Sequence, residues 1–167
     1  MEFTCEHVFD APVDRLMAMY ADPDYIPTKY RELGLRDIEV VSRRHDAHGF
    51  ELCCRFRQRA SIEVPKLAQK FVGGAEWMLA EQTDRWDFAS RTGRLDVVIE
   101  PFKAFAKIHC LMTVEAHPRG AVNRMRWTVE CAVPLIGGTL AKFIAQDIER
   151  KSALDGDMAR QLLARRP

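Results

Sequence analysis

An α+β fold is what the sequence predicts: a curved antiparallel sheet of about six to seven strands around one long C-terminal helix, with two short helices after the first strand. Three observations carry it. Most of residues 35–133 alternates apolar and polar side chains with the period of a half-buried strand. From Leu140 onward the apolar residues recur instead at helical spacing. Between the two, "VECAVPLIGGTLAKFI" (residues 129–144) changes period across Pro134 and the pair Gly137 and Gly138.

Residues 2–9 read as the first strand, with Phe3, Cys5, His7 and Phe9 on one face and Glu2, Thr4 and Glu6 on the other. "DAPVDRLMAMYADPDY" then opens a short helix, because Asp10 can cap free amides and Pro12 suits a first turn; Asp22 and Pro23 end it. A second short helix is expected over 24–33 across Pro27, with Gly34 as its stop. "LRDIEVVSR", a turn at "HDAHG", and "FELCCRFRQRASIEV" follow as strands, the last with Phe50, Leu52, Cys54, Phe56, Ala60 and Ile62 on one face. Pro65 ends that strand, and "KLAQKFVGG" is too short for more than a helical turn or a flap. "AEWMLAEQTDRWDFAS" turns at "RTGR" into "LDVVIEP", where Leu95, Val97 and Ile99 share a face. "FAKIHCLMTVEA" and "AVNRMRWTVECAV" read as a matched hairpin across "HPRG", its inward residues including Ile108, Cys110, Met112, Met125, Trp127 and Val129. The last helix runs from 135 or 139 to 164, with Leu140, Phe143, Ile144, Ile148, Leu154, Met158 and Leu162 on its stripe, and Gly156 weakening it by about 1 kcal/mol relative to Ala.

A chain of 167 residues is most simply one domain, here residues 1–167. Its 25 basic and 24 acidic residues leave a net charge of +1, which supplies no field for nucleic acid or an anionic membrane. The acidic, alternating start lacks the pattern of a secretory signal, and no stretch reaches the roughly 20 apolar residues of a membrane span. Five cysteines without C-x-x-C spacing argue against a disulfide framework and a structural zinc site, and place the protein in a reducing cytoplasm. Cys5, Cys54, Cys110 and Cys131 face inward as small hydrophobes, and Cys53 alternates outward.

In "FTCEHVFDAPVDRLMAMYADPDY", "VPLIGGTLAKFIAQDI" and "AEWMLAEQTDRW" after "VPKLAQKF", the chain resembles START-like, pollen-allergen-like helix-grip (SRPBCC) proteins over nearly its whole length. Within them it is most similar to a bacterial family of unknown function, the one numbered 2505. The resemblance implies a helix-grip fold with a cavity between sheet and long helix for lipids, polyketides or other apolar ligands. It implies no reaction and no catalytic motif.

A hollow interior would be lined by large rings and thioethers, which make adaptable walls for an apolar ligand. The candidates on the sheet are Phe56, Trp77, Trp86, Phe88, Met112, Met125 and Trp127, with Phe105 at the rim. The nine-residue spacing of Trp77 and Trp86 puts them on opposite faces unless a bulge intervenes. On the helix, Asp147, Lys151 and Asp155 at i, i+4 and i+8 fall on the stripe with Ile144 and Ile148, as a candidate ladder of ion pairs. Either that ladder lines one end of the cavity and meets a ligand's polar head, or the stripe turns outward and the three form a surface network. His7 is a cavity hydrogen-bonding or acid–base group on one reading and a satisfied core residue on the other. His45, Asp46 and His48 lie in an exposed turn with no fourth ligand, so no metal site is expected; no cofactor or catalytic residue is assigned. The glycine pair has no phosphate-binding pattern and reads as the hinge that throws the helix back across the sheet.

The expected partner is therefore a small hydrophobic or amphipathic molecule, carried or sequestered. Two alternatives stand beside it: a polyketide cyclase or aromatase-like enzyme, and a protein-interaction module with a filled core. The sequence sets no oligomeric state.

Overall fold

The computed structural model describes residues 1–166. Strand β1 (Glu2–Phe9) leads into two short helices, α1 (Val13–Ala21) and α2 (Tyr25–Glu32). Strands β2 (Arg36–His45) and β3 (Gly49–Gln58) form a hairpin, followed by a third short helix, α3 (Lys66–Val72). Strands β4 (Met78–Asp87), β5 (Thr92–Ile99), β6 (Ala106–His117) and β7 (Gly120–Cys131) continue as a meander, and α4 (Gly137–Ala164) closes the structure. All seven strands make one antiparallel sheet in the order β1-β7-β6-β5-β4-β3-β2. Among the described residues no helix is long and apolar enough to cross a membrane.

The alternation of the sequence sets which face is covered. In β7, Ala121, Asn123, Met125, Trp127 and Val129 point inward and are buried, while Arg124 and Arg126 point out. Their outward neighbours pair across strands, as Arg124 does with Glu6 and Glu115. On the inner side Phe9, Leu16, Phe102, Leu140, Ile144 and Val129 are almost fully removed from water. Burying a side chain of that size contributes about 1.5–3 kcal/mol, and this is what holds helices to sheet.

Several local expectations are corrected. Asp10 caps no helix: its carboxylate takes both donors of Arg119 at 2.9 Å, and α1 starts instead from the Pro12 carbonyl, which accepts from the amides of Arg15 and Leu16. Strand β3 stops at Gln58, where its pairing with β4 ends at Met78, so Ala60 and Ile62 belong to a loop rather than the strand. The segment after Pro65 is a true helix of seven residues closed by Gly73 in the left-handed region.

The long helix departs most from its predicted stripe. Leu154 is exposed, at 54% of its area, while Ser152, Gly156 and Ala159 are buried. The buried face moves around the helix because these small residues let its second half lie closer to the sheet than larger ones could. At its start, the residue in the left-handed region is Leu135 (φ 67°), not a glycine. Gly137 is required for another reason: a Cβ there would lie 2.3 Å from the Cys131 carbonyl oxygen. The pair is thus half a close contact and half, at Gly138, open space.

Candidate functional site

Sheet and α4 do not meet everywhere. They leave a cavity of about 360 Å³, within the range of small-molecule sites. Its sheet wall carries Phe50, Phe56, Trp86, Leu95, Met112, Met125 and Trp127. Helices α1 and α2 add Tyr20, Tyr25, Lys29 and Tyr30, and α4 adds Asp147, Ile148, Lys151, Ser152 and Asp155. The lining residues that reach solvent are Gly34, Arg59 and Leu154, so the opening lies between the α2–β2 turn, the loop after β3 and the middle of α4.

That loop is tied across the opening. The Ser61 amide donates to the Asp147 carboxylate at 2.5 Å and the Ser61 hydroxyl donates to the same oxygen at 2.7 Å. Lys151 completes the cluster, donating to Asp147 at 2.6 Å and to the Gln58 side-chain oxygen at 3.0 Å. Trp77 stands beside it, outside β4 and half-buried, with the guanidinium groups of Arg36 and Arg59 at 4.0 and 4.5 Å from its ring. Trp77 therefore lines the entrance, whereas Trp86 lies inside, tilted against Tyr20 at 5.0 Å.

The three-member ladder on α4 does not form. Asp147 pairs with Lys151, but Asp155 turns to Lys29 of α2 at 2.8 Å. Lys29 is 9% exposed, and its neighbours draw Asp155 away from a lysine four residues back on the same helix. Burial works against the Lys29 charge, yet Asp155 and then Asp84 outweigh it and hold its pKa above the ordinary lysine value. The helix thus joins two separate ion pairs, one at the mouth and one deep in the cavity.

Asp84 is the other deep group. It alternates inward with Met78, Ala80 and Trp86, is 6% exposed, and accepts one hydrogen bond, from Gln82 at 3.0 Å. Burial pushes its carboxyl up to about 6, against the lowering effect of Lys29. Because the folded pKa lies above the ordinary 3.8, the folded chain holds a proton that the unfolded chain has released. The resulting stabilisation is complete below about pH 4 and is lost as pH rises through 6. Asp84→Asn is therefore expected to gain about 2–3 kcal/mol on the parent chain between pH 4 and 7.5, read by urea denaturation at both; equal pH slopes would refute this.

His7, deep on β1, is 5% exposed and its Nε2 lies 3.1 Å from the Ser152 hydroxyl. Burial lowers its pKa, so the ring is neutral at pH 7. Gly156 makes this contact possible, since a Cβ there would lie 2.8 Å from the His7 ring. Three buried polar atoms on the lining have no hydrogen-bond partner: Tyr30 Oη, Asn123 Oδ1 and Trp127 Nε1.

Of the candidates named from sequence, His7, Phe56, Trp77, Trp86, Met112, Met125, Trp127, Asp147, Ile148, Lys151 and Asp155 come together on this lining. Phe88, Phe105 and Ile144 do not. Phe88 lies one residue past β4 and packs on Phe50 and His45. Phe105 joins Phe71 and Phe102 in a separate aromatic cluster. Ile144 is buried in the solid part of the core, 2% exposed. Sequence reading missed Lys29, Asp84, Asn123, Ser152 and the three tyrosines. For Asp84 and Asn123 the signal was present, because each has the parity of a buried tryptophan on its own strand. Elsewhere, His45 donates to the Ala21 carbonyl at 2.6 Å, and among the described residues no group of three His, Cys, Asp or Glu could hold a metal ion. The cysteines are free, and burial pushes the Cys54 thiol up to about 12.

A curved antiparallel sheet gripping a C-terminal helix over a lined cavity is a helix-grip fold. The chain belongs to the family described as a protein of unknown function, DUF2505, whose model matches residues 4–163. Solved structures agree on the fold. TTHA0849 from Thermus thermophilus is 19% identical with a TM-score of 0.65, over 99% of this chain and 100% of its own. Ara h 8.0201 is 14% identical with a TM-score of 0.67, over 99% of both chains. The Zhui aromatase/cyclase from Streptomyces sp. R1128 is 13% identical with a TM-score of 0.63, over 99% of this chain and 93% of its own. No curated protein matches the sequence.

Proposed function

We propose that the protein binds a small amphipathic molecule in the cavity between sheet and α4, and carries or sequesters it. The ligand has an apolar or aromatic frame with several hydrogen-bonding groups. The observation that carries this reading is a cavity of about 360 Å³ whose wall joins rings and thioethers to a few placed polar groups, among them Gln58, Asp84 and Ser152. A solid-cored interaction module has no use for such a wall. Native mass spectrometry of the gently purified protein should show a copurified mass that denaturation releases. The same molecule, added back, should quench Trp86 and Trp127 fluorescence. A protein that carries nothing and whose tryptophans respond to no amphiphile would sink the proposal.

An enzyme of cyclase type is the second reading. It is favoured by Asp84, titrating near 6, and neutral His7, both on the same lining, since a proton donor and acceptor near working pH are what acid–base chemistry needs. The fold is shared with an aromatase/cyclase. A copurified molecule that changes mass on incubation with the protein, and stays unchanged with Asp84→Asn, would decide for it.

A further inference from the structure

The charged groups on the cavity wall do not balance. Asp147 is matched by Lys151 and Asp155 by Lys29, and Arg59, at the mouth, is matched by Glu76. Asp84 has no cation within ion-pair distance among the described residues, and its one partner is the neutral amide of Gln82. Rings surround this end of the cavity: Trp86 lies two residues along the same face, and Tyr25 and Tyr30 reach in from α2. Close by, Tyr30 Oη, whose titration feels the Asp84 charge, has no hydrogen-bond partner among the described residues. An unpaired carboxylate among aromatic faces and a spare acceptor is the environment a cation stabilises, through charge and through the ring quadrupoles together.

Building on the small-molecule reading above, we infer that the ligand is a protonated amine on an aromatic or apolar frame, its nitrogen donating to Asp84 and its frame lying along Trp86 and Met112. A neutral ligand leaves Asp84 to be satisfied by a proton alone. An anionic ligand finds both lysines of the wall already taken.

The inference makes pH the diagnostic variable. Facing Asp84 are Lys29, Tyr25 and Tyr30 from α2, Asp155 from α4, Gln82 on its own strand, and the Cys54 and Cys110 thiols from β3 and β6. The tyrosines and Cys54 and Cys110 are pushed up by burial and stay neutral, and Lys29 stays charged, so Asp84 is the group of this set whose raised titration falls between pH 5 and 7. An ammonium requires the ionised carboxylate, so its affinity should fall about tenfold for each pH unit below 6.

The test uses three probes of one shape: 2-(1-naphthyl)ethylamine, the corresponding alcohol, and 1-naphthylacetate, titrated by calorimetry at pH 5, 6 and 7.5. The expected result is an amine at least tenfold tighter than the alcohol at pH 7.5, an advantage that shrinks about tenfold by pH 5. Asp84→Asn should abolish the preference for the amine and its pH dependence together. The pH series is read on the unaltered chain, so the inference remains falsifiable if the variant does not fold. Alcohol binding as tightly as amine at pH 7.5, or acetate binding tightest, overturns the amine and leaves the small-molecule reading standing. Failure of all three to bind at millimolar concentration overturns both.

Discussion

Lys29→Met is expected to destabilise the protein by about 3 kcal/mol at neutral pH, the lower end of what breaking a buried ion pair costs. The lower end applies because Asp155, its partner at 2.8 Å, keeps 30% of its side chain in solvent and is partly screened. Beyond the Asp155 pair, a further share of the loss comes from Asp84. With Lys29 gone, only the Gln82 hydrogen bond opposes the burial that already holds that carboxyl near 6, and its pKa moves higher. The sign of the pH dependence follows. At pH 4.5 Asp84 is protonated with or without the lysine, so the variant's deficit is confined to the lost Asp155 pair; at pH 7.5 the folded variant must also either keep an extra proton or bury a bare charge, so the deficit is larger. Urea denaturation at the two pH values checks this, and adding Asp84→Asn to Lys29→Met should remove the extra deficit at pH 7.5 and leave the one seen at pH 4.5. A deficit independent of pH would show that Lys29 acts through the Asp155 pair and the packing of its stem, and not through Asp84.

Gly156→Ala is the second large effect, and two physical terms predict opposite signs for it. Helix propensity alone makes alanine better by about 1 kcal/mol, as the bare sequence suggests. The structure places the new methyl 2.8 Å from the Cδ2 and 3.0 Å from the Cγ of His7, whose ring is buried and held by Ser152. Overpacking of that kind costs about 1–3 kcal/mol, and displacing the ring also loses its hydrogen bond, worth about 1 kcal/mol. The net expectation is a destabilised protein, with a Tm lower by about 2–4 °C per kcal/mol for a chain of this size. His7→Ala in the same background should recover the propensity gain, because the obstruction has gone. A stabilised single variant would mean that β1 yields to the helix.

These two sites show what the sequence could and could not convey. The sheet was legible because parity along a strand is a local signal: Phe50, Leu52, Cys54 and Phe56 face the core in the structure as they do on paper. The aromatic wall followed from the same parity. The ion pairs did not, because Asp147, Lys151 and Asp155 have ideal spacing for one another, and only tertiary structure reveals that α2 supplies a better partner for Asp155. Nor did the turned face of α4, since Ser152, Gly156 and Ala159 make too little apolar contrast to show as a stripe. Tyr20, Tyr25 and Lys29 sit on helices so short that their direction is fixed by docking rather than by period.

The pairing of β1 with β7 has a consequence for how the protein is made. Glu2 lies opposite Thr128, and His7 reaches Ser152 across 145 residues of chain. Strand β1 has no place in the sheet until β7, the last of the seven described strands, exists, and the concave face lacks its α4 cover until that helix follows. During translation β2 to β6 can meander together with their apolar side open, while the amino terminus waits unpaired. Folding that depends on such distant partners is slow, on the order of milliseconds to seconds, and exposes unpaired edges meanwhile. The cavity is therefore the last feature of this fold to come into being, and a nascent fold has nothing to hold a ligand with until α4 is free to pack back.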